Sequence, residues 1–168
     1  MPMSRAAFAD IPWTTLFPLL SAADLESLKH AARAVDAARV DRGGADWEWA
    51  LQHAAFPGMQ PWTPIIRGMN VIERAARGDQ LEFQLQVVWT ELGRLAVDAA
   101  VNVSCWCDID HATHDVDGLS LVVGEENSLP GAFQACAERL IGWLADPRDA
   151  DYWRTRAGLI ARQPQPFS

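Results

Sequence analysis

The chain has 168 residues, is 49% hydrophobic and 21% charged, and carries a formal net charge of −8 at pH 7. This length and apolar content suit one globular domain and exclude a disordered chain. The acidic charge argues against direct binding of nucleic acid, which requires bases over the phosphates. No stretch approaches the ~18 apolar residues of a membrane span, and Met1 to Asp10 contain no apolar run of signal-peptide length. We therefore expect a cytoplasmic protein without membrane contact.

The first half of the chain predicts helices, over residues 13–77. Ser21 can cap the first long helix, and residues 46–55 indicate a short second one. Thr63 caps a third, with a proline in its first turn. The apolar residues of the first long helix recur at helical spacing: Leu25, Leu28, Ala32 and Val35. Those of the third do the same: Ile65, Met69, Ile72 and Ala76.

The apolar period then changes to two, which predicts a sheet over residues 81–124. The strands lie near 81–91, 94–109 and 118–124, and short connections make them an antiparallel meander. The second strand is long, so we expect a bulge near Ser104. One face of this sheet should be buried, with the following residues: Leu85, Val87, Leu95, Val97, Val101 and Val103.

The C-terminal part predicts helix over 128–160, capped by Ser128, and a loose tail at 163–168. The whole chain, 1–168, therefore predicts a single α+β domain. Its sheet is a three-stranded or slightly larger antiparallel meander, packed against N-terminal helices and a C-terminal helix.

Charge is concentrated in one window of the sequence. Residues 95–138 contain eight acids and neither Lys nor Arg, whereas acids and bases balance in the rest of the chain. A concentrated negative field attracts a metal ion, a cationic ligand or a basic protein surface. Strand alternation places four residues of the window on the face opposite the apolar series: Asp98, Trp106, Asp108 and Asp110. These four are the predicted partner-binding residues, with the tryptophan as anchor.

A metal site is the alternative interpretation of the same window. Carboxylates with imidazoles suit a divalent metal, and four such residues lie close together in the sequence: Asp108, Asp110, His111 and His114. Cys105 and Cys107 share the parity of the apolar series, so they should be buried thiols instead of ligands. An odd number of cysteines, with two of them at i and i+2, predicts that Cys136 and this pair are all reduced.

Two functions remain open on these residues. The first is an acidic binding protein without a cofactor, which engages a basic protein surface as immunity proteins, inhibitors and some chaperones do, an analogy in charge alone. The second is a metal-dependent enzyme or small-ligand-binding protein with its site at 105–117. The sequence has no glycine-rich phosphate loop and no Gly-x-Ser-x-Gly elbow, which favours the binding protein over an enzyme.

Overall fold

The computed structural model describes residues 4–38, 48–51, 64–74, 79–104 and 113–145. Within these ranges the fold is α+β, with one six-stranded antiparallel sheet in which each strand pairs with the next along the chain. The strands are β1 (Ser4–Ala6), β2 (Glu48–Leu51), β3 (Pro64–Arg74), β4 (Asp79–Trp89), β5 (Leu95–Ser104) and β6 (Thr113–Val122). The helices are α1 (Trp13–Leu16), α2 (Ala22–Ala38) and α3 (Leu129–Leu144).

Both long helices begin where the sequence predicts. The Ser21 hydroxyl accepts a hydrogen bond from the Asp24 backbone N–H at 3.1 Å, and the Ser128 hydroxyl accepts one from Gly131 N–H at 3.2 Å. Each cap satisfies a backbone donor that the helix itself leaves unpaired. The predicted apolar stripe of α2 is buried, at Leu25, Leu28, Ala32 and Val35. α3 buries a stripe of the same spacing, at Phe133, Ala137, Leu140 and Leu144. Neither helix is long and apolar enough to cross a membrane, nor is α1.

One face of the sheet, called here the core face, packs against the helices. α3 lies across β4, β5 and β6, and α2 lies beside α3. The Phe8 ring, 6.3 Å from the ring of Trp49, extends the core toward β2. The buried core-face residues of the sheet belong to the same cluster as the helix stripes: Trp49, Leu51, Ile66, Phe83, Leu85, Val87, Val97, Ala99 and Val101. The predicted series is thus confirmed, except that Leu95 is only half-buried and the side chain of Val103 lies outside the described residues.

The predicted helices at 46–55 and 63–77 are wrong where the structure describes them. Residues 48–51 and 64–74 form β2 and β3, which adds strands to the predicted three-stranded meander. Ile66 and Gly68 of β3 lie opposite Val87 and Leu85 of β4. The spacing of Ile65 and Met69 also fits a helix, but a ladder with β4 over the whole length of β3 outweighs local propensity. A bulge at Ile65 lets this residue and Ile66 both be buried.

β6 begins five residues before the predicted strand. Residues 111–117, which the sequence leaves between the second and third predicted strands, are strand from Thr113 onward, and His114 pairs with Val103. The bulge expected near Ser104 occurs nearby but on β6, where Val116 is the extra residue between two registered pairs. The remaining predictions for the long second strand at 105–109, the helix beyond 145 and the tail at 163–168 lie outside the described residues.

Candidate functional site

The candidate site is the sheet face opposite α2 and α3, called here the polar face. Four of its residues lie directly opposite one another on neighbouring strands, in one row across the sheet: Arg67, Gln86, Asp98 and Ser120. Arg67 Nε donates to Gln86 Oε1 at 3.1 Å, and Gln86 Nε2 donates to Asp98 Oδ2 at 3.4 Å. The Ser120 hydroxyl donates to the other carboxylate oxygen, Asp98 Oδ1.

This row changes the electrostatic role of Asp98. The predicted position on the face opposite the core is confirmed, because Asp98 alternates with the buried Val97 and Ala99. Both of its oxygens accept hydrogen bonds, and the guanidinium of Arg67 is connected to it through one amide. The sequence window around Asp98 has no base, but β3 supplies one in space, so the negative field of Asp98 is partly compensated.

A second row on the polar face consists of Glu82, Asn102 and Asp115. Asn102 is 8% exposed, and with its amide oriented to satisfy its neighbours, Nδ2 donates to Asp115 Oδ1 at 3.0 Å and to Val101 O at 3.1 Å. Burial raises the pKa of Glu82, and the nearby charge of Arg67 opposes this only in part. The row therefore contains one carboxyl group that desolvation keeps closer to its neutral form.

The polar face is not polar throughout. Val88 and Ala96 lie on it, opposite each other, and both are fully buried without belonging to the main core cluster. Val122, the next residue in that row, is 45% exposed. Apolar side chains therefore border the row that contains Asp98.

The bulge at Val116 sends two neighbouring acids of β6 in different directions. Asp115 lies in the row of Asn102, whereas Asp117 lies opposite Val101 on the core-face side. Asp117 Oδ2 is 3.2 Å from Arg139 Nη2 of α3, and this guanidinium also lies over the Trp143 ring. A second base from outside the charged window thus neutralises one of its acids.

Three acids around β6 are exposed: Asp115 on the strand, and Glu125 and Glu126 in the loop that follows it. This set is called here the acidic rim. Several bases of the described chain are engaged elsewhere, since Arg5 pairs with Glu48 and Lys29 with Glu26. The acidic rim therefore places three exposed carboxylates around β6, one on the strand and two in the loop after it.

Most of the predicted site residues belong to the segment 105–112 between β5 and β6, called here the hairpin tip, which lies outside the described residues. Trp106, Asp108, Asp110 and His111 lie outside the described residues, and of His114 only the backbone pairing is known. Among the described residues no three His, Cys, Asp or Glu side chains gather as a metal site would require. Both the tryptophan anchor and the metal site stay predictions.

Sequence reasoning missed Arg67, Gln86 and Ser120 as partners of Asp98. Gln86 and Ser120 stood at the right parity, so alternation alone could have placed them on the polar face. Arg67 could not be found, because its segment was predicted as a helix. The pairing of four strands, β3 to β6, brings together residues separated by up to 53 positions in the chain.

Cys136 of α3 lies beneath the core face. It is a free thiol, fully buried, and its Sγ lies 3.4 Å from Val97 O and 3.7 Å from Leu119 O. Burial raises the pKa of this thiol to about 12, with a smaller contribution from the charge of Asp98. The prediction of a reduced cysteine is confirmed here, whereas Cys105 and Cys107 lie outside the described residues. A thiol of this kind is unsuited to nucleophilic chemistry.

A groove of about 510 Å³ lies on the outer side of the helix pair, away from the sheet. Its walls carry Glu26, His30 and Arg33 from α2, and Gln134 and Glu138 from α3. Glu26 pairs with Lys29, and Gln134 donates to Glu138 at 2.9 Å. The groove is mixed in charge, and its polar groups bond largely to each other along their own helices, so the polar face remains the stronger candidate.

Comparison of the chain with protein-family models, with curated proteins and with solved structures gives no match.

Proposed function

We propose that this protein is a binding protein whose acidic rim and polar face engage the basic surface of another protein. The observation that supports this most directly is the exposure of Asp115, Glu125 and Glu126 around β6. Exposed carboxylates create a negative potential that steers a basic partner and speeds its association. The partner classes with this chemistry include basic nucleases held by an inhibitor or an immunity protein, and basic clients held by a chaperone.

The acids of the site contribute unequally in this proposal. Asp98 is held by Ser120 and Gln86 and is partly compensated by Arg67, so it fixes local geometry more than it attracts a distant charge. The exposed acids of the rim give the long-range attraction. Trp106, Asp108 and Asp110 remain part of the proposed surface, with the indole as the anchor that slows dissociation.

The first test separates the position of the charge from its amount. The site variant is Asp115→Asn with Glu125→Gln and Glu126→Gln. The matched control is Asp10→Asn with Glu26→Gln and Glu138→Gln, three exposed acids elsewhere that change the net charge equally. Each protein captures partners from a cell extract at low salt, and bound proteins are identified and quantified by mass spectrometry.

A basic protein that binds the wild type and the control but is lost by the site variant would support the proposal. Its binding should also fall steeply between low salt and about 0.3 M salt, where charges beyond a few ångströms are screened. Equal capture by the two variants would show that only net charge matters, and the proposed surface would then be wrong.

Once a partner is captured, the hairpin tip can be tested by kinetics. If the indole is an anchor, Trp106→Ala should speed dissociation and weaken the binding free energy by about 2 kcal/mol. Asp108→Asn with Asp110→Asn should slow association and flatten its salt dependence. A metal site predicts another pattern, in which His111→Ala and His114→Ala matter as much as the aspartate changes and remove a near-stoichiometric metal from the purified protein.

A further inference from the structure

β6 is the last strand of the sheet, so among the described residues it has a strand neighbour on one side only. Val123 N–H donates to Leu95 O at 2.8 Å just beyond its end. In an antiparallel pair, residues that exchange backbone hydrogen bonds alternate with residues whose N–H and C=O point away. Counting from this bond along the register, the backbone groups that point away from β5 belong to Gly118, Ser120 and Val122.

Two of these six outward groups are held by neighbouring side chains. Gly118 N–H donates to Asp117 Oδ1 at 2.9 Å, and Asn127 Nδ2 donates to Val122 O at 3.4 Å. Neither contact involves a backbone group of β5, which agrees with the outward direction of these groups. The other four, Gly118 O, the N–H and C=O of Ser120, and Val122 N–H, have no hydrogen-bond partner among the described residues. All three residues are exposed.

Four such groups over five residues match the edge of an added antiparallel strand about 13 Å long. Unsatisfied strand edges are known sites of pairing with another chain, and natural proteins usually block them. Here the blocks lie at the two ends, on Gly118 N–H and Val122 O, whereas the centre at Ser120 is open.

Charge selects the kind of strand that fits. The acidic rim places Asp115 before the open segment and Glu125 and Glu126 after it. A second copy of this chain, paired about Ser120, would set the Asp115 end of one strand against the Glu125 end of the other at both ends. Like charges facing each other across strands are destabilising. A partner segment with Lys or Arg at both ends would meet opposite charges instead.

We propose that the outer edge of β6 binds an extended segment of a basic partner as a seventh, antiparallel strand centred on Ser120. This binding mode rests on the proposed function, because it names the part of the acidic surface that the partner uses. The segment carries basic residues on both sides of about five small or apolar ones, and its backbone bonds to the four open groups.

The probe is a synthetic, fluorescently labelled nonapeptide, Lys-Lys-Thr-Val-Thr-Val-Thr-Lys-Lys. A matched peptide has the same sequence and charge but carries N-methyl groups on its five central amides, so it cannot donate to β6. Fluorescence anisotropy at low salt measures the dissociation constant of each peptide. We expect the methylated peptide to bind the wild-type protein about tenfold more weakly or worse.

The protein side of the test compares Ser120→Pro with Ser120→Ala. Both variants lack the hydroxyl that bonds Asp98, and only the proline also lacks the outward N–H. Proline is tolerated on an edge strand where its missing donor faces outward. We expect the unmethylated peptide to bind Ser120→Pro about tenfold more weakly than Ser120→Ala. Circular dichroism checks that both variants are folded, and if Ser120→Pro is not, the methylated peptide decides.

Equal binding of both peptides to the wild type, or no binding of either, would overturn strand addition. The acidic-rim variant is the triple substitution Asp115→Asn, Glu125→Gln and Glu126→Gln. If peptide binding is insensitive to methylation but falls in this variant, the proposed function stands and only the edge pairing is wrong. If neither methylation nor the rim variant matters, both are wrong. A concentration-dependent dimer that Ser120→Pro abolishes would replace the basic partner by a second copy of the chain.

Discussion

The two faces of the sheet differ in how they hold their side chains, even along a single strand. Phe83, Leu85 and Val87 of β4 point to the core face and are fully buried. Gln84 and Gln86 lie between them on the polar face and are half-buried. Apolar burial under α2 and α3 stabilises the first face. On the second face, hydrogen bonds across strands connect the row of Asp98, and apolar burial is confined to Val88 and Ala96 among its described residues. We infer that the fold depends on the first face and that binding can be altered through the second.

The largest expected effect comes from breaking the core face. Phe83→Ala should lower the free energy of unfolding by about 3–5 kcal/mol, because it removes a fully buried ring and leaves a cavity. Its chain neighbour Gln84→Ala should change it by less than about 1 kcal/mol. Urea denaturation followed by tryptophan fluorescence measures both. Similar losses for the two variants would mean that the faces are equally important for stability.

This difference between the faces also explains what the sequence could predict. β4 and β5 were found, because strict alternation of buried and half-buried residues is a strong signal over about ten residues. α2 and α3 were found because Ser21 and Ser128 cap regular apolar stripes. Asp98 was placed on the correct face by the same alternation.

β2, β3 and the start of β6 were not predicted, because their identity depends on distant partners. Ile65, Ile66 and Met69 fit a helical stripe as well as a bulged strand, and only pairing with β4 decides between them. The bulge at Val116 changes the face of every residue beyond it, so Asp117 meets Arg139 instead of the polar face. The charged window lacks bases in sequence, but the fold pairs Arg139 with Asp117 and connects Arg67 to Asp98 through Gln86.

Beneath the core face, the next effect concerns the reactivity of Cys136. With its pKa raised to about 12, this thiol should hold about a thousandfold less thiolate at pH 8 than a thiol of ordinary pKa. Alkylation of the native protein, followed by mass spectrometry, should therefore be slow at Cys136 and fast once urea is added. Because the folded pKa lies above the unfolded one, the thiol's contribution to stability should be lost as pH rises from about 9 towards 12. Fast labelling of the native thiol would contradict its placement.

A smaller effect is expected at Asp98, a polar-face residue whose charge also acts on Cys136 beneath the core face. Asp98→Ala leaves the Ser120 and Gln86 donors without their acceptor and should lower the free energy of unfolding by about 1–2 kcal/mol. Asp98→Asn keeps one oxygen and should lose less. The asparagine variant should also alkylate Cys136 slightly faster, since the charge of Asp98 helps to raise that thiol's pKa. An unchanged labelling rate would mean that the charge of Asp98 does not influence the Cys136 thiol across the sheet. An exposed acid in the β4–β5 turn, Glu91, is the control.

The smallest effect is expected at Glu82, where substitution should stabilise the protein, whereas substitution of Asp98 should destabilise it. Burial raises the pKa of this carboxyl, so the folded protein binds its proton more tightly than the unfolded chain does. The stability that this proton contributes is present in acid and is lost as pH rises through the raised pKa. At pH 7, Glu82→Gln should therefore stabilise the protein, by no more than about 1 kcal/mol, because water screens a half-exposed carboxylate.

Thermal melting at pH 4 and pH 7 measures the change, with Glu91→Gln as the control. The two proteins should converge at the lower pH. A loss of stability in Glu82→Gln at pH 7 would instead mean that Arg67 holds the charged carboxylate more strongly than burial opposes it.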